Sequence, residues 1–109
     1  MAFDPELADR IRALLGDRCE DEKKVFGGLA FMIGGNMAVA ASSNGGIIVR
    51  VDPAEAADLA ATTPAEPMEM RGKMMTGWMR VAAADVADDA ALAPWVERGA
   101  AYASSLPPK

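Results

Sequence analysis

The chain has 109 residues, 51% hydrophobic and 25% charged, which predicts a single folded domain and argues against intrinsic disorder. Its 11 basic and 16 acidic residues give a net charge of −5, so we expect no direct nucleic-acid binding, which depends on neutralising phosphates. One cysteine excludes an internal disulfide, and the acidic N-terminus without an apolar run of about 20 residues predicts a soluble, cytoplasmic protein with no membrane association.

The first predicted element is a helix over residues 4–15. Asp4 is a suitable N-cap, Pro5 fits the first helical position, and Gly16 is a natural stop. Helical spacing brings the apolar residues of this segment onto one face, namely Leu7, Ile11, Leu14 and Leu15. The sequence therefore predicts an amphipathic helix that packs on the rest of the domain.

Residues 23–51 are typical of β-strands separated by tight turns. Apolar residues alternate along the segment, and turn signals occur at Gly34-Gly35-Asn36 and at residues 42–46, which include Asn-Gly. Turns this short force neighbouring strands to run antiparallel. We therefore predict a meander of three or four strands.

A second helix is predicted from Asp52-Pro53 to about Ala61, because Pro64 and Pro67 prevent its continuation. Residues 68–71 and 78–81 then alternate apolar and charged side chains, which predicts a second hairpin that extends or flanks the first sheet.

A last helix is predicted over residues 90–105, after a capped loop that contains Asp85, Asp88 and Asp89. Pro94 should lie in or very near its first turn, where a missing N–H costs little. The whole chain, residues 1–109, is then one α+β domain in which helices cover one face of a single antiparallel sheet, and the other face is open to solvent or to a partner.

Groups that carry catalysis or bind metal are scarce in this sequence. It contains no histidine, the commonest general base and a usual zinc ligand, and it has no phosphate-binding loop motif. Acidic neighbours oppose a lowered pKa for Cys19, which we expect to be a small, partly buried residue. We therefore predict that the protein is not an enzyme and uses no metal or cofactor.

A candidate interaction face is predicted on the open side of the sheet. In their strands, four residues take the opposite parity from the apolar positions, namely Arg50, Arg71, Trp78 and Arg80. Arg and Trp are enriched at interface hot spots. Two alternatives stay open: a solvated face on which Glu69 pairs with Arg80, or a small-ligand or anion-binding surface formed by the three arginines. Met68, Met70 and Met79 are expected to point into the core.

The sequence resembles the N-terminal domain of the TfoX (Sxy) family. The similarity is carried by the segments Lys23-Lys24-Val25-Phe26-Gly27-Gly28-Leu29-Ala30-Phe31, Gly35-Asn36-Met37, Val49-Arg50-Val51, Gly77-Trp78 and Trp95-Val96-Glu97-Arg98-Gly99. The resemblance implies a bacterial α+β domain with no catalytic residues to carry over. The best-known members regulate natural competence together with the cyclic-AMP receptor protein, and in them a C-terminal domain follows. Because this chain ends at Lys109, the resemblance predicts the stand-alone form.

The resemblance and the predicted face together suggest a function. We expect a non-enzymatic regulatory domain that binds a protein partner, such as a component of the transcription machinery. An open sheet face or an unpaired edge strand is also a ready surface for self-association. We therefore expect a homodimer.

Overall fold

The computed structural model describes residues 4–25, 28–42, 45–70 and 72–107. Within these residues, the helices are α1 (Pro5–Leu15), α2 (Pro53–Thr62) and α3 (Asp89–Ser105), with short 3-10 turns at Gly16–Arg18 and Ala83–Val86. The strands are β1 (Asp21–Val25), β2 (Gly28–Ile33), β3 (Asn36–Ala41), β4 (Ile47–Arg50), β5 (Glu66–Met70) and β6 (Lys73–Val81).

The strands form one antiparallel sheet in the order β1-β2-β3-β4-β6-β5. The predicted meander is confirmed with four strands, and the second hairpin extends the same sheet because β6 pairs with β4. At the β2–β3 turn, Gly34 and Gly35 have φ angles of 59° and 81°. Residues with a side chain rarely adopt such angles, which explains the paired glycines.

The helices cover one face of the sheet, as predicted. Alternate strand residues such as Phe31, Val49 and Met79 are fully buried in a single hydrophobic cluster. The buried residues of all three helices belong to the same cluster, including Ile11 of α1, Leu59 of α2 and Trp95 of α3. The fold class is therefore α+β, with the sheet and the helices packed around a common core.

Side-chain caps define where the helices begin. Asp4 accepts a hydrogen bond from the Glu6 N–H at 3.0 Å, and Asp52 and Asp88 play the same part for α2 and α3. The prediction for Pro94 needs a correction. Because α3 begins at Asp89, Pro94 is its sixth residue and lies in the second turn, where it is exposed. The carbonyl it leaves unbonded belongs to Ala90, which is also exposed.

Close contact between α3 and the sheet depends on Gly99. A Cβ atom at this position would lie 2.4 Å from the carbonyl oxygen of Ala38 and 3.2 Å from Cγ1 of Val49. Real side chains do not tolerate the first of these distances. The missing side chain therefore allows α3 to pack directly against β3 and β4.

The pairing of β5 with β6 differs from the sequence-based expectation. Arg80 lies opposite Glu66 rather than Glu69. Met70 already pairs with Lys73 next to the turn, which places Glu69 opposite Met74, and a bulge between Pro67 and Met68 then shifts the register so that Glu66 faces Arg80. Met79 points into the core as predicted, whereas the side chains of Met68 and Met70 lie outside the described part of the chain. No helix among the described residues is both long and apolar enough to cross a bilayer.

Candidate interaction site at Arg50 and the α2–α3 groove

Arg50 lies where a strand, a neighbouring strand and a helix meet. It is the last residue of β4, and its register partner across the sheet is Trp78 in β6. The guanidinium carbon is 5.1 Å from the centroid of the Trp78 ring and 5.7 Å from that of Tyr102 in α3. Both distances are within the range of cation–π contacts.

The local fold explains how Arg50 reaches a residue of α3. Pairing between β3 and β4 ends at Val39 and Val49, so Arg50 lies beyond the last paired residue on that side. Gly99 brings α3 onto the same end of β4, and Tyr102 follows it by about one helical turn. Strand pairing therefore places the half-buried Arg50 next to Trp78, and the close packing of α3 places it next to Tyr102.

An open groove borders this cluster between the start of α2 and the exposed side of α3. Its volume is about 500 Å³, and it is lined by Asp52, Glu55, Pro94, Glu97, Arg98, Ala101 and Tyr102. Tyr102 belongs both to the groove and to the contact with Arg50. We call the groove and the cluster of Arg50, Trp78 and Tyr102 together the α2–α3 site.

The two arginines of the α2–α3 site share an unusual environment. The Arg98 guanidinium lies 4.9 Å from the centroid of the Trp95 ring, and the ring itself is buried. Both Arg50 and Arg98 are half-buried, and neither forms an ion pair with any residue that the structure describes. Aromatic rings therefore contact both guanidinium groups, while no carboxylate of the described residues forms an ion pair with either.

Two of the three carboxylates in the groove already have partners. Asp52 accepts a hydrogen bond from the Ala54 N–H at 2.9 Å, and Glu97 accepts one from the Arg18 guanidinium at 2.9 Å. The hydrogen bond from Arg18 lowers the pKa of Glu97. Glu55 is exposed and makes no side-chain hydrogen bond or ion pair within the described ranges.

The structure brings together only part of the predicted face. Arg50 and Trp78 are in contact, whereas Arg80 is exposed on β6 and lines a different cavity of about 280 Å³. Arg71 lies outside the described residues. Sequence reasoning missed Arg98 and Tyr102, although the spacing Trp95, Arg98, Tyr102 already indicates one helix face.

Neither metal-binding nor thiol chemistry is prominent in the described residues. They contain no group of three or more His, Cys, Asp or Glu side chains able to hold a metal ion. Cys19 is partly buried, as expected, and its thiol donates to the Asp21 carbonyl oxygen at 3.3 Å. Burial raises the pKa of this thiol, which disfavours the reactive thiolate.

Comparison with known proteins identifies one family. The model of the TfoX N-terminal domain matches residues 18–103, a range that includes Arg50, Trp78, Arg98 and Tyr102. A search of curated proteins gave no match to the chain.

Proposed function

The chain belongs to the TfoX N-terminal domain family, and we propose that it is a non-catalytic regulatory domain that binds a protein partner linked to transcription. Support for a regulatory role comes from the family. Support for a binding role comes from the α2–α3 site, which combines exposed charge with aromatic side chains. The proposal requires no bound metal or cofactor.

The contact between Arg50 and Trp78 is the observation that carries the proposed binding role. Arg and Trp are the residue types most often found to dominate binding energy at protein interfaces. Here each is half-buried, so its side chain is held in place before a partner arrives. A preorganised side chain loses less conformational freedom on binding, which favours affinity.

Affinity capture from cells of the source organism tests this proposal. The tagged chain should retain a specific protein, and Arg50→Gln and Trp78→Leu should each reduce its recovery severalfold. Arg12→Gln is the matched control, because the guanidinium of Arg12 is already bonded to Glu22. Recovery of no transcription component, or equal recovery by all four proteins, counts against the proposal.

A second candidate function uses Arg80. This arginine lines the 280 Å³ cavity and has no ion pair with a described residue, which favours a small anionic ligand. Glu66 and Asp85 line the same cavity and oppose an anion, so this candidate ranks second. Thermal unfolding with added phosphate, nucleotides or carboxylates tests it, because a ligand that binds only the folded state raises the midpoint.

Self-association also remains a prediction. A homodimer formed through the open sheet face would sediment at twice the monomer mass at high micromolar concentration. Monomeric sedimentation under these conditions would contradict it.

A further inference from the structure

We infer that the cavity beside Arg80 binds a small zwitterion, namely an α-amino acid with a short apolar side chain. This inference rests on the second candidate function proposed above and names the class of ligand. Three observations support it: the chain segments that form the cavity, the charges that line it, and its volume.

The cavity lies at one end of the sheet, where the segments before β4 and β5 meet the segment after β6. Gly46, at the start of β4, packs directly on the last of these segments. A Cβ atom at this position would lie 2.2 Å from the Val81 carbonyl oxygen and 2.9 Å from the Ala83 nitrogen. The backbone beside the cavity is therefore held closely together.

Charged side chains of both signs line this cavity. Arg80 and Glu66 are register partners on β6 and β5. Asp85 follows in a 3-10 turn, where its N–H donates to the Ala82 carbonyl oxygen at 2.9 Å. None of the three side chains forms an ion pair or a hydrogen bond with a residue that the structure describes. One guanidinium and two carboxylates therefore line the same space without partners among the described residues.

These charges fit a ligand that carries both signs. The guanidinium fork matches the two oxygens of a carboxylate, and an ammonium has three donors that two carboxylates can share. A simple anion would meet Glu66 and Asp85 as like charges, whereas a simple cation would meet Arg80. An α-amino acid carries its carboxylate and its ammonium on one carbon, so a single small ligand can pair with all three side chains.

The volume of the cavity restricts the ligand further. About 280 Å³ lies just below the range of pockets that hold drug-sized molecules, which argues against a nucleotide. The uncharged side chains that line the cavity include Pro64, Ala82 and Ala83. A short apolar side chain such as that of valine suits both this volume and these walls.

The test is a titration with L-valine followed by ¹H–¹⁵N NMR. Two analogues at the same concentration serve as controls, since isovalerate lacks the ammonium and isobutylamine lacks the carboxylate. The Nε–H signal of Arg80 and the amide signals of Gly45 and Ala83 should shift with valine, with half-saturation at about 1 mM. Either analogue should cause much smaller shifts.

Variants assign the two ends of the ligand. Arg80→Gln should weaken valine binding about tenfold, as expected for a lost charged hydrogen bond, and should bind valine no better than isobutylamine. Glu66→Gln should weaken valine binding about threefold, because Asp85 still accepts from the ammonium, and should bind isovalerate more tightly than the original chain does. Arg98→Gln and Glu55→Gln, at the α2–α3 site, should leave the affinity unchanged. Unchanged thermal midpoints of the variants confirm that the fold is retained.

Several results would overturn the inference. These are the absence of shifts at about 20 mM valine, equal shifts with either analogue, or insensitivity to Arg80→Gln. If phosphate or nucleotides bind through Arg80 and valine does not, the anionic candidate stands and the zwitterion inference is wrong. If none of these ligands binds, both are wrong, and the partner-binding role proposed for Arg50 and Trp78 is unaffected.

Discussion

Arginines of α1 and arginines of the α2–α3 site occupy opposite chemical situations. Arg10, Arg12 and the nearby Arg18 each donate to a carboxylate on another element, and Arg12 also lies 5.8 Å from the centroid of the Phe31 ring. Arg50 and Arg98 contact aromatic rings but no described carboxylate. The first group acts as cross-links within the fold. The second group contacts aromatic rings and has no described carboxylate partner, and for this reason we propose that a partner binds there.

The cross-links of the first group connect α1 and the following turn to three parts of the fold. Arg12 forms two hydrogen bonds with Glu22 of β1, at 2.6 and 2.7 Å. Arg10 bonds to Asp89 at the start of α3 and to the Val86 carbonyl, and Arg18 bonds to Glu97 of α3. The helix is therefore held by its polar surface as well as by its buried face.

Disrupting the close packing of α3 against the sheet should have the largest effect on stability. Gly99→Ala places a methyl group 2.4 Å from the Ala38 carbonyl, so α3 must move away from the sheet. We expect a loss of about 2 kcal/mol in the free energy of unfolding, measured by denaturant titration, even though alanine favours helix. The Arg50 Nε–H signal should shift as Tyr102 withdraws.

Ser104→Ala is the control for Gly99→Ala, since Ser104 is exposed on the same helix. It should change stability by only a few tenths of a kcal/mol. A Gly99→Ala protein as stable as the original would mean that α3 does not rest on the sheet in the way described.

Arg10→Gln should have the next largest effect, on stability. The side chain is 23% exposed and bonds both to Asp89 at 2.8 Å and to the Val86 carbonyl at 3.0 Å. We expect a cost of about 1 kcal/mol in thermal or denaturant unfolding, because one charged and one neutral contact are lost near solvent. A double-mutant cycle with Asp89→Asn would measure the share carried by the ion pair.

Arg50→Gln should cost less than Arg10→Gln, at most about 0.5–1 kcal/mol. The substitution removes two ring contacts but leaves no described carboxylate without its partner. The same denaturant titration checks this order. A larger loss of unfolding free energy for Arg50→Gln than for Arg10→Gln would contradict the distinction between arginines that donate to a carboxylate and those that contact only aromatic rings.

Acid should weaken the cross-linked region, and this is the smallest effect. Hydrogen bonds from Arg12 and Arg18 lower the pKa of Glu22 and Glu97, respectively. Their contribution is therefore complete above the ordinary glutamate pKa of about 4.3 and is lost as the pH falls through the lower folded-state values. The effect is modest because both side chains are partly exposed, at 31% and 57%.

Thermal midpoints between about pH 6 and pH 3 measure this loss. Arg12→Gln should show a shallower fall than the original chain, since Glu22 then has an ordinary pKa. Arg50→Gln should retain the original pH dependence. Parallel curves for all three proteins would contradict the assignment.

Most of the fold could be predicted because the signals for helices, strands and turns are local in the sequence. Caps such as Asp4, turn glycines such as Gly34 and the alternation of apolar residues act over a few positions, so the sequence predicted all three helices, the meander and the second hairpin. Two details failed. The register of β5 against β6 depends on a turn and a bulge that form only when the strands pair, so Glu66 and not Glu69 lies opposite Arg80. Pro94 lies in the second turn of α3 although the helix begins within one residue of its predicted start.

The candidate site was only half predictable. Arg50 and Trp78 both take the opposite parity from the apolar positions of their strands. Their contact then follows from the pairing of β4 with β6. Tyr102 and Arg98 join them through the docking of α3, which depends on the contact between Gly99 and Ala38, residues 61 positions apart in sequence. Nothing near Arg98 in the sequence indicates that the adjacent Glu97 is bonded to Arg18.

The two edge strands of the sheet, β1 and β5, are poorly suited to pairing with strands of other molecules. β1 carries the consecutive charges Asp21, Glu22, Lys23 and Lys24, and β5 contains Pro67, whose nitrogen has no hydrogen to donate. A strand from another molecule that paired with β1 would have to remove water from those charges. One that paired with β5 would lack a backbone hydrogen bond at Pro67. Both features disfavour edge-to-edge pairing of sheets into fibrils. One face of the sheet can therefore stay uncovered by helices without promoting aggregation through the edge strands.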